Sequence, residues 1–98
     1  MPMLDLTSAK AKLLEILESG YVQTGSHCRE QMREREFLMP DILRVLQTGE
    51  LKPGSTPGDE AKGIFRVYGH DNEGNPLALV VEIDEKRNRL RIITGFGY

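Results

Sequence analysis

Cysteine occurs once in these 98 residues, at Cys28, so the chain can form no disulfide within itself. That fits a reducing compartment. No apolar stretch approaches the roughly 20 residues that a helix needs to span a bilayer. Residues 1–10 carry no basic segment followed by an apolar run, which predicts no signal peptide and a cytoplasmic protein. Charge of one sign is also missing: 13 Lys and Arg stand against 15 Asp and Glu, for a net charge of −2. Such a balance argues against gripping nucleic acid with the whole surface and leaves a local basic face open. Metal ligands are scarce, since His27 adjoins Cys28, His70 stands alone, and no CxxC or HExxH spacing exists. Neither a GxGxxG nor a GxxxxGK[ST] loop is present, so no nucleotide cofactor is expected, nor any other cofactor.

What remains is a globular composition, with 39% hydrophobic and 29% charged residues, and a length that predicts a single domain over residues 1–98. Residues 7–19 read as a helix that Thr7 or Ser8 caps, with Ala9, Leu13, Ile16 and Leu17 on one stripe and Gly20 as a left-handed closing residue. Residues 21–24 suit a short strand. Ser26 then caps a second helix to about Glu36, in which Cys28 and Met32 face inward and the other positions are strongly charged. The position of Cys28 opposite Met32 reads as a small core residue rather than a nucleophile. Pro40 and Asp41 open a third helix, with Ile42, Leu43, Val45 and Leu46 as its apolar face and Gly49 at its end. Residues 52–62, rich in Pro and Gly, predict a surface loop long enough to move over a site.

The period then changes. Residues 63–69 alternate, residues 76–84 are apolar on both faces as in a central strand, and residues 89–96 alternate again. Short turns between these runs predict an antiparallel meander. The fold class expected is α+β, with N-terminal helices on one face of a three- to four-stranded, mainly antiparallel sheet. Leu77, Leu79, Val81 and Ile83 would share the buried face with Phe65, Val67, Leu90 and Ile92. The opposite face would carry Arg66, Tyr68, Arg89 and Arg91.

Arginines converging with a tyrosine and a histidine suit phosphodiester chemistry. The guanidinium offers a planar fork of donors to phosphate oxygens and keeps its charge at physiological pH. Histidine moves a proton near neutrality. Metal-independent RNA cleavage needs a base for the ribose 2′-hydroxyl, an acid for the leaving oxygen, and cations for the charge that builds between them. His27, Arg66, Tyr68 and Arg91 would fill those roles if the fold gathers them. The plainer alternative is a solvated arginine face, a tyrosine covering apolar surface and a histidine bonded to local backbone.

The order Ser26-His27, Met32-Arg33-Glu34-Arg35 and a short helix ending at Thr48-Gly49-Glu50, followed by GIFRVYG, PLALVVEID and RLRIITGFG, resembles the bacterial domain-of-unknown-function family 4258. The resemblance covers roughly residues 21–96 and leaves residues 1–20 as an N-terminal helical addition. Family members usually have glycine where this chain has Glu36, a difference that bears on the turn between the second and third helices. The family is similar in fold to the RelE-like toxin ribonucleases of toxin–antitoxin systems. That likeness implies RNA as substrate and a cognate antitoxin as partner. Carried over by position, it implies functional roles for His27, Arg33 and Arg35, with looser matches at Arg66 and at Arg91 to Thr94. Arg33, Arg35 and Thr94 would then bind substrate beside the catalytic His27, Arg66, Tyr68 and Arg91. A non-catalytic module, binding another protein through its exposed sheet face, is the alternative.

Overall fold

A computed structural model describes residues 5–98 as three helices and a five-stranded mixed sheet. The signal-peptide reading falls partly on residues 1–4, which lie outside the described residues. In chain order the elements are α1 (Leu6–Ser19), β1 (Tyr21–Thr24), α2 (Ser26–Arg35), α3 (Met39–Thr48), β2 (Glu50–Pro53), a 3-10 turn (Glu60–Lys62), β3 (Ile64–His70), β4 (Pro76–Asp84) and β5 (Arg89–Phe96). The sheet order is β1-β5-β4-β3-β2.

The α+β class, the three helices and the β3-β4-β5 meander match the sequence expectation, but the strand count does not. Five strands form rather than three or four, because Glu50–Pro53 pairs antiparallel with β3 and takes in the first two residues of the loop expected over 52–62. A single buried apolar residue, Leu51, is all the hydrophobic signal this strand carries. Pro53 is tolerated there because β2 is an edge strand, where a missing backbone donor breaks no ladder. The fifth strand, β1, runs parallel to β5, so the sheet is mixed. A parallel neighbour needs a long crossover, and the whole of α2, α3 and β2–β4 supplies it.

The helix termini also differ in detail from the sequence reading. Asp5 caps α1, its carboxylate accepting the Ser8 N–H at 2.7 Å, so Thr7 and Ser8 lie inside the helix. Gly20 is extended (φ −112°) rather than left-handed, because the chain passes straight into β1. Gly25 stands at the cap position of α2, with Ser26 as its first residue. That helix ends at Arg35, and Glu36 adopts the left-handed conformation (φ 56°, ψ 39°). This is where a glycine avoids the clash of Cβ with the backbone. The Asp41 carboxylate closes the start of α3 by accepting the Leu38 N–H at 2.8 Å.

Alternation places Phe65, Val67, Leu79, Val81, Leu90 and Ile92 on one sheet face. There they form a single buried cluster with Ala9, Leu13 and Ile16 of α1 and Ile42, Val45 and Leu46 of α3. Cys28 and Phe37 join that cluster, which settles the cysteine as a core residue whose thiol pKa burial pushes up. At about 25 cal/mol per Å² of apolar surface removed from water, each large side chain contributes about 1.5–3 kcal/mol. The loop over residues 54–63 is pinned rather than loose: the Asp59 carboxylate accepts the Thr56 N–H at 3.0 Å and its carbonyl accepts the Ile64 N–H at 2.9 Å.

Candidate functional site

The sheet face turned away from α1 and α3 holds the strand cations. Paired residues on neighbouring strands project to the same side, so the register defines rows across that face. Lys52, Arg66, Val80 and Thr94 form one row, and Glu50, Tyr68, Ala78 and Phe96 the next. Ile64, Glu82, Arg91 and Gln23 make a third. Arg66, Tyr68 and Arg91 therefore share a face, as the alternation predicts.

Ion pairing separates these cations. Lys52 meets Glu50 at 3.3 Å, Arg89 meets Asp84 at 3.3 Å, and Arg91 meets Glu82 at 3.6 Å. Among the described residues Arg66 has no carboxylate partner. Its Nε donates to the Pro53 carbonyl at 2.8 Å and its Nη1 donates to the Tyr68 hydroxyl oxygen at 3.1 Å. The guanidinium carbon sits 5.6 Å from the centre of the Tyr68 ring. Arg66 is thus held in place by neutral groups while its charge stays uncompensated, which is the arrangement an anion site requires.

The edge of β5 brings in α2. β1 ends at Thr24, opposite Ile92, and the Gly25 N–H is accepted by the Ile92 carbonyl at 3.0 Å. From that point α2 takes over the edge that β1 leaves. The Gln31 side-chain oxygen accepts the Gly95 N–H at 2.8 Å and also the Thr94 hydroxyl. His27 lies one helical turn before Gln31, a spacing that sets their side chains on the same stripe about 5–6 Å apart. Gln31 thereby ties α2 to the end of β5 beside Thr94, which shares its row with Arg66. Thr94 and Arg66 are separated by the single strand β4, a span of about 10 Å.

No hydrogen bond or ion pair among the described residues joins His27 to Arg66, Tyr68 or Arg91. His27 is exposed, on the helix rather than on the sheet. Arg33 lies on another side of α2, where it lines a groove of about 600 Å³ with Arg29, Met32, Glu36 and Leu38. Arg35 is exposed in the last turn of that helix. Neither arginine makes a bond to the open sheet face among the described residues. Gln31 was not singled out by sequence reasoning, although its place four residues after His27 on a charged helix was a usable signal. Among the described residues no group of three or more His, Cys, Asp or Glu side chains is placed to hold a metal ion. No helix there is long and apolar enough to cross a membrane.

The chain is an α+β domain with one sheet face buried under helices and the other open around Arg66, which has no carboxylate partner among the described residues. Residues 25–95 match the family described as Domain of unknown function (DUF4258), and the chain belongs to that family. No curated protein and no solved structure matches the chain. The similarity to RelE-like toxins accordingly finds no support in a known structure.

Proposed function

We propose that this domain is a metal-independent ribonuclease, acting at the row that runs from α2 across the open sheet face. The observation that carries the reading is the state of Arg66: fixed by Pro53 and Tyr68, and without a carboxylate partner among the described residues. A phosphodiester supplies the missing negative charge. The His27 imidazole takes the proton of the ribose 2′-hydroxyl, the 2′-oxygen attacks phosphorus, and the bond from phosphorus to the 5′-oxygen breaks. A solvent proton goes to the leaving 5′-oxygen, giving a 2′,3′-cyclic phosphate and a 5′-hydroxyl. Arg66 stabilises the charge that builds on the phosphoryl oxygens, with Arg91 further along the face. The Tyr68 hydroxyl orients the guanidinium, while Gln31 and Thr94 hold the middle of α2 against the end of β5. Arg33 and Arg35 act at a distance, on substrate beyond the scissile bond.

In the narrower form of this reading the chain is the RelE-like toxin of a cytoplasmic toxin–antitoxin pair, and the likeness of sequence pattern is its support. The test is cleavage of a single-stranded RNA by purified protein in the presence of a metal chelator. Wild type is expected to yield cyclic-phosphate ends, with His27→Ala slower by about 10²–10⁴-fold and Arg66→Ala by about 10²–10³-fold. Intact RNA after incubation with folded wild-type protein overturns the reading.

A second reading, a protein-interaction module, draws on the ion pairs that already neutralise Lys52, Arg89 and Arg91, and on Tyr21, which is 73% exposed at the sheet edge. It predicts normal growth on induced expression, intact cellular RNA, and a partner whose binding Tyr21→Ala weakens.

A further inference from the structure

Beside the arginine row, the open face carries an aromatic cluster in which Tyr68 meets two rings, Phe96 and Tyr98, that the proposed reaction does not use. The Tyr68 and Tyr98 ring centres lie 5.0 Å apart at an interplanar angle of 74°, and Tyr68 and Phe96 lie 6.3 Å apart at 87°. Both pairs are edge-to-face, a geometry that leaves ring faces free for a further partner. Tyr98 is anchored as well: its hydroxyl donates to the Gly69 carbonyl at 3.1 Å, although the residue is 57% exposed. A tethered, half-exposed ring gives a flat apolar surface at little further cost in conformational entropy. It stands one ring away from the Arg66 guanidinium.

We propose that Tyr98, buttressed by Tyr68 and Phe96, is a stacking subsite for a nucleobase of single-stranded RNA next to the phosphate bound by Arg66. This rests on the ribonuclease reading above and names the form of its substrate. Aromatic platforms beside a cationic backbone site are how single strands are held without a base code, since every base presents a π face. In a duplex those faces are stacked on neighbouring bases, so the subsite selects unpaired RNA.

The test uses a single-stranded RNA oligonucleotide with 2′-O-methyl riboses, which lacks the attacking hydroxyl and stays intact, carrying 2-aminopurine as a fluorescent base. Wild type is expected to bind it and to quench the fluorophore by stacking. Tyr98→Leu should bind about 5- to 100-fold more weakly and lose the quenching. Tyr98→Phe keeps the ring and should keep the quenching, and both variants should match the far-ultraviolet circular dichroism of wild type. Binding and quenching by Tyr98→Leu equal to wild type would overturn the stacking subsite while leaving the Arg66 site standing. A folded wild type that binds no RNA removes the ribonuclease reading and the subsite together.

Discussion

The Gln31 side-chain oxygen accepts the backbone N–H of Gly95 at 2.8 Å, joining the middle of α2 to the end of β5. This is the bond that β1 would supply if it ran further, so a side chain stands in for a strand. Gln31→Ala leaves the amide and the Thr94 hydroxyl without this acceptor and should cost about 1–2 kcal/mol in urea unfolding. Gln31→Glu keeps an acceptor oxygen and should retain most of that stability. An alanine variant with an unchanged midpoint would show that solvent satisfies both donors equally well.

Glu36 occupies the left-handed position that follows α2, with φ 56°. A side chain there forces Cβ toward the following carbonyl, at about 1–2 kcal/mol. Glycine relieves that strain and loses part of the gain to the greater freedom of its unfolded chain. Glu36→Gly should therefore raise stability by about 0.5–1 kcal/mol, read as a higher thermal midpoint. A lower midpoint would mean that the Glu36 side chain contributes more than its backbone costs.

Gly20 lies under Asn88. A Cβ at Gly20 would sit 2.2 Å from the Asn88 carbonyl oxygen, which also accepts the Tyr21 N–H at 3.1 Å. Gly20→Ala must push β1 away from the β4–β5 turn and should destabilise by about 2–3 kcal/mol. Gly25→Ala is the control, since its Cβ would meet only the Ile92 oxygen, at the ordinary distance of 3.6 Å. It should fall within about 0.5 kcal/mol of wild type. Equal costs at the two sites would contradict the close approach at Gly20.

Acid should unfold the chain partly through its turn aspartates. The Asp71 carboxyl is held below its ordinary value, first by the Asn75 N–H and also by the Glu73 N–H, both at 2.9 Å. Asp84 is likewise lowered, first by the Arg87 side chain at 2.9 Å. A carboxyl whose folded pKa lies below its unfolded value of about 3.9 binds fewer protons when folded. Its contribution is therefore full above about pH 4 and is lost as pH falls through the folded pKa. Urea midpoints should hold steady from pH 7 to about 5 and then drop. Asp71→Asn should be less stable than wild type at pH 7 and lose less on acidification. A parallel decline for variant and wild type would remove Asp71 from the acid response.

Much of this architecture was written in local pattern. Ala9, Leu13 and Ile16 repeat at helical spacing, and Phe65 with Val67 and Leu90 with Ile92 alternate, because one stripe or one face must leave water. Those residues all belong to the buried cluster. β2 was missed because a four-residue edge strand with one buried leucine has no period to read. The parallel pairing of β1 escaped for a different reason: nothing in residues 21–24 records which strand, 68 positions away at Tyr21 and Arg89, will lie beside it.

The candidate site divides in the same way. Arg66, Tyr68 and Arg91 were legible as a group, since alternation on three neighbouring strands puts them on the face opposite the core. Thr94 came only from the family resemblance and not from alternation, since strict alternation from Leu90 and Ile92 would turn it toward the helices. The register shift between Val80 and Val81 leaves Ile93 unpaired and reverses the phase, so that Thr94 and Phe96 join Arg66 and Tyr68 on the open side. Local pattern is enough to show which residues are apolar, which segments coil into helices and which short-range neighbours alternate, because those depend on a few bonds of backbone geometry. The folded arrangement alone settles that Gln31 meets Gly95, that Arg66 bonds to Pro53 and Tyr68 with no carboxylate partner among the described residues, and that Tyr98 rests on Tyr68. Each depends on register and edge contacts between segments far apart in the chain, where a slip of one residue changes the face.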